Sequence, residues 1–301
     1  MDTITHALTG AVIGYCGFRQ RGGRVALWTT IAAAEFPDAD ILMASFGNET
    51  YLRWHRGFTH SILLLPFWAA VVAGIFWAFS RRSDFKLLWL AAAAGIGSHL
   101  LLDWITSYGT TLLWPVSDAR HELSWVFILD PYVWAMLGVT LWAVLRRRNM
   151  RAAPVGLALV TGYFLMCGAL HWRALSRQEP GKVRAFAQPM NPFRWTIVRD
   201  TGDAITWSDG LETRIFPQYH DELLVPKAEA TDAVKLYRWF AVFPLVERIK
   251  ENGHTVLRYR DLRFRSRIPG GAVREGMFIV AKVVFDSSGN AIASGLGGAT
   301  E

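Results

Sequence analysis

The chain has 301 residues, with 52% hydrophobic and 19% charged side chains and a mean hydropathy of +0.20. Soluble domains carry about 25% charge, so this composition excludes a disordered chain and argues against a single soluble domain. Cys16 and Cys167 are the sole cysteines, which excludes a disulfide framework and a CxxC zinc signature. In chain order, two short apolar stretches come first, at 6–18 and 25–36. At ~1.5 Å per residue they are too short to cross a ~30 Å hydrocarbon core, and half-spanning helices are expected. Four longer windows follow at 62–79, 87–105, 126–145 and 153–172, each near the roughly 20 residues of a full span. The opening Met1-Asp2 carries no basic segment, so a signal peptide is not expected.

The character changes after residue 174. Charged residues return, and β-branched or aromatic runs at 195–198, 205–207, 255–259 and 277–285 predict strands. Turn signals at Thr201-Gly202-Asp203, Ser208-Asp209-Gly210, Glu251-Asn252-Gly253 and Ser287-Ser288-Gly289-Asn290 punctuate them, and 231–240 reads as a helix. The expected fold class is an α-helical multi-pass membrane domain, 1–174, followed by a small α+β, mainly antiparallel domain, 175–301.

Charge sets the expected orientation. Arg19, Arg21 and Arg24, then Arg81, Arg82 and Lys86, then Arg146, Arg147, Arg148 and Arg151 lie in alternate loops, whereas the intervening loops hold only Arg53, Arg56 and Arg120. The basic loops are expected in the cytoplasm, with the N-terminus and the second domain outside.

Ionisable residues mark the apolar half. Asp2 and His6 are spaced i, i+4, as are His99 and Asp103, so each pair shares a helix face. Asp38 and Asp40 follow Glu35 at the end of the second stretch, His55 and His60 open the first long window, and Asp130 precedes Pro131. In the expected topology all of them fall at the outer side. Singly, each has an ordinary explanation: Asp2 or Asp130 as a helix cap, Asp38 in a turn, His99 as a hydrogen-bonded core residue. Together they need a cation, because carboxylates in an apolar setting cost a few kcal/mol or more. His6, Asp38, Asp40, His55, His60, His99 and Asp103, joined by Asp2 and Asp130, are the candidate ligands. They suit one or two divalent ions, zinc first, with manganese or iron as alternatives. Arg56 could neutralise a phosphate or anchor a headgroup, and Glu35 could act as a general base or pair with an arginine. Thr5, Thr59, Thr106 and Ser107 are candidates for orienting ligands.

The segments Asp2-Thr3-Ile4-Thr5-His6, Phe36-Pro37-Asp38-Ala39-Asp40, His55-Arg56-Gly57-Phe58-Thr59-His60-Ser61 and His99-Leu100-Leu101-Leu102-Asp103-Trp104 resemble the motifs of the YdjM-type inner-membrane metal-dependent hydrolases. The stretch from Ser107-Tyr108-Gly109-Thr110 to Trp114-Pro115, and Phe127-Ile128-Leu129-Asp130-Pro131, are similar to that family too. The resemblance covers the apolar half. The second half resembles the family's less regular extension, most clearly at Asp261-Leu262-Arg263-Phe264. It implies a bacterial inner-membrane location, metal binding and hydrolysis.

The reading is therefore a metal-dependent hydrolase of a lipid or membrane-associated (phospho)ester at the outer leaflet, with the bilayer as its partner. A non-catalytic metal-stapled scaffold and a metal or proton transporter are the alternatives. The transporter lacks ionisable groups in the inner halves of the spans. No GxSxG elbow, Gly-rich phosphate loop or nucleic-acid motif occurs, so serine-hydrolase, nucleotide-binding and nucleic-acid readings lack their parts.

Overall fold

The structure, a computed structural model, describes residues 1–80, 83–274 and 279–297. Arg81 and Arg82 of the basic loop, Met277 and Phe278 of the last strand expected, and Glu301 lie outside the described residues. The chain divides into two compact units: Met1–Ile41 with Trp54–Leu170, and Leu42–Arg53 with His171–Glu301.

The first unit is helical. Helix α1 (Thr3–Ile13) begins where Asp2 accepts the Thr5 amide, 3.1 Å away. A π-helical turn leads into α2 (Arg19–Glu35), which is broken at Gly23, where φ is +66°. Arg19, Arg21 and Arg24 lie around the breaks at Gly17 and Gly23, where the chain passes from α1 to the body of α2. A run of 3₁₀ turns (Phe36–Phe46) carries Asp38 and Asp40, and short α3 (Asn48–Trp54) follows. A single 3₁₀ turn (Phe58–His60) precedes α4 (Leu65–Phe79), which packs with α5 (Phe85–Trp104). After a loop come α6 (Pro131–Arg146) and α7 (Ala152–Leu175).

Two of these helices, α5 and α7, are long and apolar enough to cross a membrane. A third span arises if Asn48–His60 and α4, bent by 82°, are taken as one. The windows at 62–79 and 126–145 give helices of only 15 and 16 residues. Their N-termini are set by prolines. Pro66 and Pro131 lack the amide that an earlier turn would use, and Asp130 caps α6 through the amides of Tyr132 and Val133. At ~1.5 Å per residue, α6 is about 24 Å long, short of the ~30 Å core.

Close helix packing in this unit depends on small residues. A Cβ on Gly95 of α5 would lie 2.5 Å from Thr30 O and 2.8 Å from the Ala33 Cβ of α2. One on Gly10 of α1 would lie 2.8 Å from the Ala34 Cβ. Backbones approach at these points because there is no side chain to separate them.

The second unit is mainly antiparallel sheet. One sheet has the order β1 (Lys182–Gln188), β2 (Asn191–Asp200), β3 (Ala204–Ser208) and β4 (Thr213–Pro217). Helices α8 (Leu224–Glu229) and α9 (Asp232–Phe240) come next. The second sheet contains β5 (Pro244–Glu251) and β6 (His254–Asp261). The small pair β7 (Ser266–Arg267) and β8 (Val273–Arg274) precedes β9 (Val280–Phe285) and β10 (Ala291–Gly297), and the second sheet has the order β10-β9-β6-β5. Phe186, Val198, Ile205, Trp207, Phe243, Leu245 and Leu262 form a shared core. The Asn252-Gly253 turn joins β5 to β6 with φ of +49° and +82°, both positive as a type I′ hairpin requires. Leu42–Arg53 belongs to this unit: Leu52 is fully buried and Asn48 Nδ2 donates to Leu296 O at 3.0 Å.

Candidate metal centre

Four side chains from three segments converge in the first unit. Asp38 comes from the 3₁₀ run after α2, His60 from the turn before α4, and His99 and Asp103 from successive turns of α5. Their donor atoms all lie within 4.8 Å of one another and could hold a metal ion. His60 Nε2 and His99 Nε2 are 3.1 Å apart. Asp103 Oδ2 is 3.2 Å from the first and 3.4 Å from the second, and Asp38 Oδ1 is 3.6 and 3.5 Å away. For metal bonds of ~2.0–2.1 Å, the edge of a tetrahedron is about 3.3–3.4 Å. The observed edges bracket that value.

The surroundings settle which atoms face the centre. His99 Nδ1 lies 2.6 Å from Ala34 O, which accepts and therefore demands a proton on Nδ1. His60 Nδ1 is turned toward Asp40 Oδ2, 3.2 Å away. With both rings neutral and protonated on Nδ1, the two Nε2 lone pairs face each other 3.1 Å apart, and a cation between them would remove their repulsion. Asp103 Oδ2 has no hydrogen-bond partner among the described residues, whereas Oδ1 is engaged by Arg56 Nη2 at 2.8 Å and by the Met1 amino group. One oxygen is neutralised and the other is left for a ligand. His60, His99 and Asp103 are fully buried, and the Asp38 side chain is 26% exposed.

Asp40 and His55, both candidate ligands from the sequence, stand behind these four. Asp40 Oδ1 lies 2.7 Å from His55 Nδ1, and Oδ2 accepts from the Arg56 amide at 2.8 Å and Thr59 Oγ1 at 2.9 Å. Burial alone would raise the Asp40 carboxyl, but hydrogen bonds from His55 and His60 carry it below the ordinary carboxylate range. Asp38 is held low in the same way by His60 and His99 against the effect of burial. A carboxylate behind a histidine fixes its tautomer and orientation.

Arg56 has φ +58°, an uncommon conformation for a side chain with a Cβ. Its amide bond to Asp40, and the Thr111 amide and Oγ1 donating to its carbonyl at 3.1 and 2.9 Å, hold it there. The guanidinium that the sequence offered to a phosphate is engaged with Asp103 and, at 3.2 Å, with Thr106 Oγ1. His6 is fully buried and stacked on His99, with ring centroids 3.8 Å apart. Its Nε2 lies 3.4 Å from Asp103 Oδ1, and neither ring nitrogen has a hydrogen-bond partner among the described residues. Glu35 Oε1 is likewise buried without a partner, with Asp38, His99 and Asp2 as electrostatic neighbours. Asp2 and Asp130 have other positions. Asp2 accepts from Thr5 and from Trp134 Nε1, and Asp130 caps α6 and accepts from Tyr163 Oη at 2.7 Å. Three partners escaped sequence reading: the Ala34 carbonyl, Thr111, and Arg120, which donates to Gly109 O at 2.8 Å. A backbone acceptor leaves no side-chain signal.

The YdjM inner membrane protein family matches residues 1–174, the segment that holds all of these side chains. The chain belongs to the YdjM inner membrane protein family. It is 25% identical over 295 residues to "Uncharacterized protein YfhP" of Bacillus subtilis (strain 168), across 89% of this chain and 88% of that protein. It is 36% identical over 133 residues to "Inner membrane protein YbcI" of Escherichia coli (strain K12), across 42% of this chain and 73% of that protein. No solved structure matches. Membership of the YdjM family and the apolar helices point to the inner membrane.

Proposed function

We propose that the protein is a multi-pass inner-membrane hydrolase that holds a divalent ion, zinc first, on Asp38, His60, His99 and Asp103. The substrate is a lipid or membrane-associated (phospho)ester. The carrying observation is the convergence of the His60 and His99 Nε2 atoms, 3.1 Å apart, with Asp38 and with the Asp103 Oδ2 that has no hydrogen-bond partner among the described residues. A divalent ion bound there supplies Lewis-acid polarisation and lowers the pKa of water toward neutrality.

The chain's own groups then have distinct tasks. Asp40 and the Ala34 carbonyl hold protons on Nδ1 of His60 and His99, so that both Nε2 atoms stay free to bind. Arg56 neutralises Asp103 Oδ1. Glu35, half-buried with an Oε1 that has no partner among the described residues, is suited to take a proton from water. Asp38 is the partly exposed donor and marks the side from which water and substrate arrive. His6, against Asp103, is placed to join the ligand set or a second ion. The proposed arrangement puts the site at the outer side of the bilayer, with 1–174 as the membrane domain and 175–301 outside.

Four protein donors can also close a tetrahedron, which favours a structural staple as the second reading. Elemental analysis of the purified, detergent-solubilised chain, with assays over a panel of phospholipids and lipid-linked phosphoesters, separates the two. His60→Ala and Asp103→Ala should lose metal and hydrolysis together. Metal without hydrolysis across the panel would support the staple, and no metal would refute both.

A further inference from the structure

The β1–β2 hairpin of the second unit exposes an apolar tip. Met190, at the turn, has φ +55° and is 48% exposed, and Phe193 is 69% exposed. The base of the hairpin is fixed to the end of α7. His171 Nε2 lies 3.1 Å from Ala185 O, and its ring packs edge-on against Trp195 at 5.3 Å. Arg199 of β2 donates to Glu179 O at 2.9 Å, so the connection after α7 runs beside the hairpin's open end. Lys182, paired with Asp200, therefore lies near the helix terminus, and Ala185 is level with His171, one turn earlier. The hairpin thus lies beside the last turn of α7. The pairing register shifts between Trp195 and Asn191, so Phe193 and Arg194 lie in an irregular stretch of β2 and both are exposed. His171 covers Trp195 and leaves Phe193 open. Trp172, the next residue of α7, is 73% exposed. Arg173, Arg184 and Arg194 are exposed around these residues.

We propose that this tip, Met190 and Phe193 together with Trp172, is a membrane anchor seated in the headgroup region of the bilayer. Arg173, Arg184 and Arg194 engage the phosphates of anionic lipids there. Apolar residues rimmed by arginine, beginning where a candidate span ends, fit an interface between lipid and water. An aqueous contact would leave Phe193 and Trp172 in water with no compensating burial. The anchor would hold the second unit against the bilayer. The proposal rests on α7 crossing the membrane.

The test places p-benzoylphenylalanine at Phe193, Met190, Leu211 or Leu165 of the full chain. Each variant is reconstituted in nanodiscs of phosphatidylethanolamine and phosphatidylglycerol and irradiated, and adducts are identified by mass. All four positions are exposed, so the fold is not at stake. Positions 193 and 190 should give phospholipid adducts at least about fivefold above Leu211, the exposed apolar control between β3 and β4. Arg184→Glu with Arg194→Glu should lower the phosphatidylglycerol share of the adducts at 193. Yields at 193 no higher than at 211, or adducts with a second copy of the chain, would overturn the anchor. Leu165, on the exposed face of α7, reports the span separately: lipid adducts there without any at 193 leave the span and remove the anchor, and none there removes the span itself.

Discussion

Asp40→Asn separates a ligand from a group that orients one. The substitution keeps shape and removes charge. In the protein, Asp40 takes four contacts: His55 Nδ1 at 2.7 Å, the Arg56 amide at 2.8 Å, Thr59 Oγ1 at 2.9 Å and His60 Nδ1 at 3.2 Å. An asparagine oxygen at the Oδ2 position can still accept from Arg56 and Thr59. What it loses is the full negative charge that keeps the proton on His60 Nδ1 and makes Nε2 a better donor. Removing such a partner costs about 10–100-fold in metal affinity, roughly 1.4–2.7 kcal/mol. The stoichiometry should stay that of the unmodified protein. Chelator competition on the solubilised chain measures affinity, and elemental analysis measures stoichiometry. Were Asp40 itself a ligand, Asp40→Asn would behave as His60→Ala, with metal lost outright. That outcome, or an affinity equal to that of the unmodified protein, would refute the assignment.

Arg56→Gln should lower stability by about 3–5 kcal/mol, because it leaves the buried Asp103 Oδ1 without its guanidinium; thermal unfolding with and without chelator measures it. Gly95→Val should push α5 from α2, lengthen the His99 to Ala34 contact and weaken metal binding, read by the same chelator competition. Reporter fusions at Glu301 and within 146–151 should report opposite compartments, and a shared compartment would refute the proposed topology. Asp209→Ala should cost about 1–3 kcal/mol, since its carboxylate accepts the amides of Leu211 and Glu212 and meets Arg267. Burial would raise this carboxyl, but those bonds hold it below the ordinary range. A folded-state value below the unfolded one gives stability that is present above about pH 4 and is lost as pH falls through the folded value, so the gap between Asp209→Ala and the unmodified chain should close in acid.

Much of this was legible in the sequence, for identifiable reasons. The spacing of His99 and Asp103 is a helical spacing, and both do face one point. Apolar runs and turn chemistry located β2, β3, β6 and the described part of β9, whose turns carry glycine, and the helical apolar pattern after Thr231 located α9. Strands β1, β4, β5 and β10 gave weaker signals: β10 (Ala291–Gly297) is largely exposed and glycine-bearing, and β4 (Thr213–Pro217) buries no residue fully. Leu42–Arg53 reads as a continuation of the apolar half, and only Leu52 among its side chains is buried with the second unit. The division of the site into Asp38, His60, His99 and Asp103 on one side and Asp40 and His55 on the other was not legible. All six are residues that bind metals, and what separates them is which nitrogen or carboxylate oxygen each side chain turns inward. That is decided by the Ala34 carbonyl and by Asp40.

The packing around Gly95 explains why so many buried polar atoms can be tolerated. His99 lies four residues after Gly95 on the same helix face, and Ala34 follows Ala33, which the missing Cβ of Gly95 admits. The contact between His99 and Ala34 O is thus set by helix packing before any ion arrives. His60 and Asp38 are set by short turns instead, and their places depend on Asp40 and on what lies between the two Nε2 atoms. A divalent ion would remove the repulsion among these donors and tie the two turns to α5. Its binding energy would then also be folding energy for Phe36–Phe46 and Phe58–His60, the two 3₁₀ segments with few helical bonds of their own. On the proposed reading, half of the site is set by the fold and half would be set by the ion, so loss of metal would loosen the turns while α2 and α5 stay packed.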